Sequence, residues 1–214
     1  MIRQARSAVT RARIIASAVE LFDERGYPAT ALGDVIERAG MTKGAFYYHF
    51  DSKEALAAEI VLEGGGRLSR TFDAISASRP PALEGIIHGT YLVVDQVRTD
   101  ELARVGTTLL RMFAGYSEPA EKIYTGWLHN MAVDVARARD EGDLREDVDV
   151  DAVANTFVGG VVGGAVLSDG TSHGADLRTR VTHMFALVLP TIVAEGSAEY
   201  FTEFLSREAG RHPR

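Results

Sequence analysis

Apolar residues recur three and four positions apart along most of the chain, and this period predicts helices. Ile14, Ala18, Leu21 and Phe22 mark one face of a first helix, and Gly26 suits the left-handed position just past its end. Leu32, Val35, Ile36 and Ala39 mark a second helix of roughly two turns, with Thr30 placed to cap its first amides. Gly40 supplies a turn, and Thr42 is placed to cap a third, short helix that carries Lys43 and Gly44 in its first turn. Phe46 and Phe50, four apart, are expected to pack inward. Asp51 and Glu54 have capping-box spacing and Ser52 offers a second cap, so a fourth helix is predicted from Ser52 to about Ser76.

The same period continues beyond it. Gly64, Gly65 and Gly66 interrupt the fourth helix with three residues that each cost about 1 kcal/mol relative to alanine, predicting either its end or a flexible joint. Pro80 and Pro81 mark a break. Leu83, Ile86, Ile87, Tyr91 and Val94 then predict a fifth helix, Leu102 to Phe113 a sixth, and Pro119 closes that region. Ile123, Trp127, Met131 and Val135 form a stripe on a seventh, with Tyr124 beside it. A polar connection, 141–151, leads to an apolar helix containing Gly159, Gly160, Gly163 and Gly164, two small-xxx-small pairs that admit a close neighbour. Another apolar helix runs from Leu177 through Val181, Phe185, Val188 and Ile192, bent at Pro190. Period-two alternation and Asn-Gly hairpins are missing, so the fold class is all-α. The pattern divides into a three-helix head, residues 1–53, and a larger helical body, residues 54–214, whose last two long helices are expected to pair with a second copy as a four-helix bundle.

Two short helices meeting at Gly40 read as a helix-turn-helix. A recognition helix enters the major groove by its N-terminal end, where Lys43 offers a cation for phosphate or guanine and Gly44 permits close backbone approach. Tyr47, Tyr48 and His49 are consecutive and cannot all face inward; Tyr47 and His49 are favoured as outward groups facing phosphate. Lys53 sits in the first turn of the next helix, where its unfavourable interaction with the helix dipole would be offset by a bound phosphate. Arg3, Arg6, Arg11 and Arg13, with no acid among the first thirteen residues, predict a mobile cationic arm.

The net charge of −7 changes this picture only until its distribution is considered. Residues 1–53 hold eight Lys or Arg against six Asp or Glu, while the remaining 161 hold fifteen against twenty-four. Distant acids are screened over a Debye length of about 8 Å, so a mildly basic head on an acidic body is compatible with DNA at one end. With no cysteine, disulfides, thiolate nucleophiles and cysteine metal sites are excluded. The 152–167 stretch, interrupted by Asn155 and Thr156, falls short of the ~20 residues of a span and predicts a buried helix. No signal-like segment opens the chain, so a cytoplasmic location away from membranes is expected. Six scattered histidines include no i, i+4 pair, a Gly-x-Ser-x-Gly motif is missing, and Glu84 with His88 is an isolated spacing; no enzyme activity, metal or cofactor is expected.

The run from Arg11 to Leu56, above all Ile-Ile-Ala-Ser-Ala-Val-Glu-Leu-Phe-Asp-Glu-Arg-Gly-Tyr and Thr-Lys-Gly-Ala-Phe-Tyr-Tyr-His-Phe-Asp-Ser-Lys-Glu-Ala-Leu, resembles the DNA-binding head of the TetR family of bacterial repressors. That resemblance implies an all-helical homodimer that binds a palindromic operator and releases it when a small molecule enters the C-terminal domain. It implies phosphate contacts from Thr42, Tyr47, His49 and Lys53 and base-edge contacts from Lys43, Gly44 and Ala45. Met41, Phe46 and Tyr48 depart from the commoner Val, Leu and Phe, which bears on fine operator preference.

The body carries a second resemblance. The single tryptophan, Trp127, the Asp-Val-Asp-Val-Asp-Ala-Val-Ala run and the glycine-rich helix after it resemble the autoregulator-receptor branch, whose members bind γ-butyrolactones or related butenolide and furan signals and control antibiotic biosynthesis. By spacing Trp127 is core filling; the resemblance makes it a ligand contact, with Tyr124 able to give a hydroxyl to a ring oxygen or carbonyl. Ile87, Tyr91, Leu110, Phe113, Val158 and Val162 are candidates for the wall that receives an alkyl tail. A drug-sensing efflux regulator, or a receptor homologue that no longer binds lactones, stays open as the alternative.

Overall fold

The computed structural model describes the backbone of residues 2–211 and the side chains of residues 7–211. Among the described residues the fold is all-α, with one isolated bridge between Leu144 and Val193. The helices are α1 (Ile2–Arg25), α2 (Leu32–Arg38), α3 (Lys43–Tyr47), α4 (Lys53–Ala77), α5 (Ala82–Thr99), α6 (Glu101–Met112), α7 (Glu118–Asp140), α8 (Val150–Ser172), α9 (Leu177–Ile192) and α10 (Ala198–Gly210). They form two compact units, Met1–Arg67 with Thr99–Ile123, and Leu68–Arg98 with Tyr124–Arg214. The helix-turn-helix lies within the first unit, which also takes in the first part of α4, α6 and the start of α7.

The core of the first unit is made by the predicted stripes. Ile14 and Ala18 of α1, Val35 of α2, Phe46 of α3 and Leu56 and Ile60 of α4 are fully shielded from solvent. Each such large side chain contributes about 1.5–3 kcal/mol, enough in sum to fix short helices that would not persist alone. Gly26 and Gly40 take φ of +80° and +63°, as their places at helix ends require. Arginines tie the exposed sides together: Arg38 reaches Glu20 and Glu24, and Arg104 of α6 makes a two-pronged pair with Asp23, both contacts at 2.9 Å.

In the second unit Leu83, Ile86, Ile87 and Tyr91 of α5 pack in one cluster with Phe157 of α8, Phe185 of α9 and Phe201 of α10. Arg178 of α9 crosses this core. One of its nitrogens pairs with Asp95 at 2.6 Å, another donates to the main-chain carbonyl of Glu208 near the end of α10, and its guanidinium lies 4.4 Å over the Tyr91 ring. The buried Glu208 carboxylate meets His88 of α5 at 2.8 Å.

Several expectations are corrected. Thr30 does not cap α2. Its hydroxyl donates to the carbonyls of Gly26 and Leu21 at the end of α1, and the α2 cap is Ala31, whose N–H donates to Asp34. Buried carbonyls at a helix end compete for a hydroxyl as strongly as amides at a helix start. The cationic arm is helical from Ile2, and Arg11 is held against α4 by Glu59 at 2.6 Å and Glu63 at 3.1 Å; the side chains of Arg3 and Arg6 lie outside the described residues. Pro119 does not close the sixth-helix region but sits in the first turn of α7, where proline is tolerated. The 152–167 segment belongs to a helix of 23 residues, long and apolar enough to cross a membrane by length and composition; it is not a buried helix in the single chain, since Val166 and Leu167 are exposed. The sequence reading did not include α10, although Phe201, Leu205 and Glu208 repeat at helical spacing and are all buried.

The glycines of α4 are the largest correction. α4 continues without interruption through Gly64–Gly66. A Cβ on Gly64 would lie 2.7 Å from the Leu102 carbonyl oxygen and 2.9 Å from the Gly106 Cα, and one on Gly106 would lie 2.8 Å from the Ile60 oxygen. A Cβ on Gly65 would meet the Ile123 side chain at 3.0 Å. These residues let α4 and α6 cross backbone to backbone; the segment is not the helix end, because tertiary contact offsets the local propensity cost.

Candidate functional site

The tip of α3 is built by a cap, a turn and an aromatic anchor. Gly40 N–H donates to Glu37 and Met41 N–H to Ile36, closing α2, and Thr42 takes extended geometry. The Thr42 hydroxyl accepts from Ala45 N–H at 3.2 Å, as expected. Phe46 is fully buried and Phe50 nearly so, which pins the short helix from below. Thr42, Lys43 and Gly44 are therefore presented to solvent, with Ala45 half-buried behind them. Lys43 has no protein partner among the described residues, whereas Arg11, Arg38 and Arg104 are engaged by carboxylates. This leaves a free cation at the end of a helix-turn-helix, beside a residue that lets the backbone approach a surface.

Tyr47 is exposed and His49 half-buried. Tyr48, not singled out from the sequence, is the most exposed of the three at 72% and holds its ring edge-on to His49 at 5.0 Å. Its signal was present in the sequence, since a short helix anchored by Phe46 and Phe50 turns the residues between them outward. Lys53 is placed differently from Lys43. Its ammonium donates to the Tyr27 carbonyl at 2.5 Å and lies 4.0 Å over the Tyr27 ring, while Ser52 rather than Asp51 caps α4 by accepting from Ala55 N–H. Burial pushes the Lys53 ammonium below its ordinary value, with the Glu54 charge opposing. Burial, and then Glu54, pushes the Tyr27 hydroxyl up to about 12.

The candidate ligand residues fall into separate groups. Trp127 and Tyr124 meet on α7 with rings perpendicular at 5.8 Å, and the half-buried Trp127 indole donates to Ser69 of α4 at 3.0 Å. Ile87 and Tyr91 lie in the core of the second unit, where the Tyr91 hydroxyl shares a 2.7 Å hydrogen bond with Thr182. Val158 and Val162 are half-buried on α8. Leu110 and Phe113 belong to the first unit, where Phe113 packs edge-on against Tyr27 at 5.3 Å. A groove of about 360 Å³ in the second unit, lined by Glu84, His88, Phe204 and Glu208 among others, includes none of these eight residues. Among the described residues no group of three or more His, Asp or Glu is placed to hold a metal ion.

Comparison with known proteins agrees with this arrangement. Residues 14–60 match the family described as bacterial regulatory proteins, tetR family, and residues 80–194 match the tetracyclin repressor-like C-terminal domain. The A-factor receptor protein of Streptomyces griseus is 30% identical over 198 residues, covering 92% of this chain and 68% of that protein. The crystal structure of a γ-butyrolactone receptor, an ArpA-like protein, superposes with a TM-score of 0.77 at 28% identity, covering 95% of this chain and 98% of the other. CprB of Streptomyces coelicolor, solved with its biological operator sequence, gives 0.74 at 29% identity over 94% and 97% of the two chains. A capped recognition tip on a three-helix head, followed by a matching C-terminal domain, places the chain in the TetR family of bacterial regulatory proteins.

Proposed function

We propose that this ligand-responsive repressor acts as a homodimer on a palindromic operator and is released by a small apolar signal of γ-butyrolactone, butenolide or furan type, controlling antibiotic or other secondary metabolism. The observation that carries DNA binding is the exposed Lys43–Gly44 tip held by Thr42 over Phe46. Thr42, Tyr47, His49 and Lys53 are assigned to phosphates, and Lys43, Gly44 and Ala45 to base edges. The dimer reading is supported by an uncovered apolar face. Gly160 sits against Met184 of α9 within the chain, yet a Cβ on Gly159 or Gly163 would meet no neighbouring element within 4 Å, and Val166, Leu167 and Leu187 are exposed. A second copy presenting the same α8 and α9 faces would cover them. The signal class is supported by the likeness to the A-factor and ArpA-like receptors and by Trp127 and Tyr124.

Release requires no chemistry. The signal binds more tightly to a state whose two heads no longer fit successive major grooves about 34 Å apart, so signal and operator weaken each other reciprocally. The test is a gel shift on the chain's own promoter. Lys43→Ala is expected to cost about 1–3 kcal/mol and to relax specificity at one base position if Lys43 reads a guanine. A γ-butyrolactone with an eight-carbon tail is expected to release the parent protein and to quench Trp127. Release by cationic drugs but not by lactone, butenolide or furan would replace this reading with that of an efflux regulator.

A further inference from the structure

We infer that Tyr27 is a positioning residue for operator binding: its carbonyl and ring hold the Lys53 ammonium in place for a phosphate before DNA arrives. This rests on the assignment of Lys53 to a phosphate made above. The Lys53 ammonium donates to the Tyr27 carbonyl at 2.5 Å and lies 4.0 Å over the Tyr27 ring, with the Phe22 ring further off at 5.9 Å. An ammonium has three N–H donors. The carbonyl takes one, the ring face takes the direction of a second, and the third stays for a phosphate oxygen. Tyr27 is itself held by three neighbours: Phe22 edge-on at 5.2 Å, Phe113 edge-on at 5.3 Å, and Glu54, to which its hydroxyl donates at 3.4 Å. All of these residues belong to the first unit.

Lys43 and Lys53 therefore meet DNA on different terms. Lys43, without a protein partner among the described residues, gives up its rotamer freedom when it takes a phosphate. Lys53 has given it up on folding. Burial has also stripped part of its water, which lowers its pKa, with the Glu54 charge opposing. The Tyr27 carbonyl and ring stand in for that water and leave the charge in place. Hydrogen bonds from its own amide, then from Ser52 and the Tyr27 hydroxyl, hold the neighbouring Glu54 carboxyl below its ordinary value, and it forms no ion pair with Lys53 among the described residues. The ammonium is thus fixed, partly dehydrated and not neutralised. Ordering of this kind in the free protein raises affinity with no added contact to DNA, and does so for any base sequence.

Fluorescence anisotropy of the full-length protein with a labelled duplex from its own promoter, and with the same duplex scrambled, tests this over a range of salt. Lys53→Met is expected to lower the slope of log affinity against log salt by about 1.8, since each of two subunits gives up a phosphate and each phosphate counts about 0.9. Tyr27→Leu, which removes the ring face but keeps an apolar side chain beside Phe22 and Phe113, is expected to show at least half of that change and to weaken both duplexes at least fivefold. Added to Lys53→Met, it is expected to cost less than twofold more. Tyr27→Phe, which keeps the ring, is expected to recover most of the affinity lost in Tyr27→Leu. The chain has three lysines, so the Lys53 ε-methylene protons can be assigned in the free protein. The Tyr27 ring current is expected to move them upfield of those of Lys43 and Lys122. That shift is read in the parent and decides even where Tyr27→Leu does not fold. Unshifted protons, a Tyr27→Leu protein that binds like the parent, or a Tyr27→Leu loss as large with Lys53→Met as without it overturns the inference and leaves the phosphate assignment standing. Lys53→Met with the parent's slope overturns both.

Discussion

The first half of α4 and its second half are one uninterrupted helix with opposite packing. Leu56, Ala57, Ile60 and Val61 are wholly buried, and Gly64 then crosses Gly106 with no room for a methyl group. From Leu68 onward only Leu68 is fully buried, and Ser69, Thr71, Asp73 and Ser76 hold their neighbours by hydrogen bonds. Shape complementarity makes the first half stiff, because close-packed surfaces have one good arrangement. Hydrogen bonds that water can replace make the second half adjustable. A single helix thus carries a closely packed half within the first unit and a hydrogen-bonded half within the second.

That contrast can be broken by urea unfolding at fixed protein concentration. Ile60→Ala is expected to cost about 2–5 kcal/mol, because a fully buried side chain leaves a cavity. Gly64→Ala should cost about 1–3 kcal/mol despite its better helix propensity, since the new methyl group meets backbone on α6 that cannot swing aside. Ser76→Ala should cost about 1–3 kcal/mol by removing a donor from the buried Asp134 carboxylate, whereas Asp73→Ala, at an exposed hydrogen bond, should stay within about 0.5 kcal/mol. A loss from Asp73→Ala as large as that from Ile60→Ala would abolish the distinction.

At the alkaline end a pH dependence is expected. The folded state holds the Tyr27 hydroxyl at about 12, above its ordinary value of 10.0, so ionisation is harder in the folded chain. The stability this gives is complete below pH 10.0 and is lost as pH rises through about 12. Tyr27→Phe should remove that alkaline decline while leaving neutral stability nearly unchanged; the same slope in both proteins would assign it elsewhere.

How much of this was legible in the sequence differs by residue. The capped tip was, because Thr42, Gly40, Phe46 and Phe50 act within a few positions of one another. The glycine run was misread because propensity is local and the partner, Gly106, stands 42 positions away. Arg11 was misread as an arm because its carboxylates, Glu59 and Glu63, lie on another helix. α10 was missed although its spacing was visible. The candidate wall residues were chosen for size and apolarity, which Leu110 and Phe113 satisfy equally well in the first unit, beside Tyr27. Nothing local distinguishes a side chain that faces a cavity from one that fills a core.

Arg178 has a practical corollary. Its guanidinium spans α5 and the closing turn of α10, so trimming the polypeptide back to Ser197 would strip away the Glu208 carbonyl, bare the seats of Phe201 and Leu205, and strand His88. Fusion tags therefore belong after Arg211, and a shortened version prepared for crystallisation would lose its keystone along with its tail.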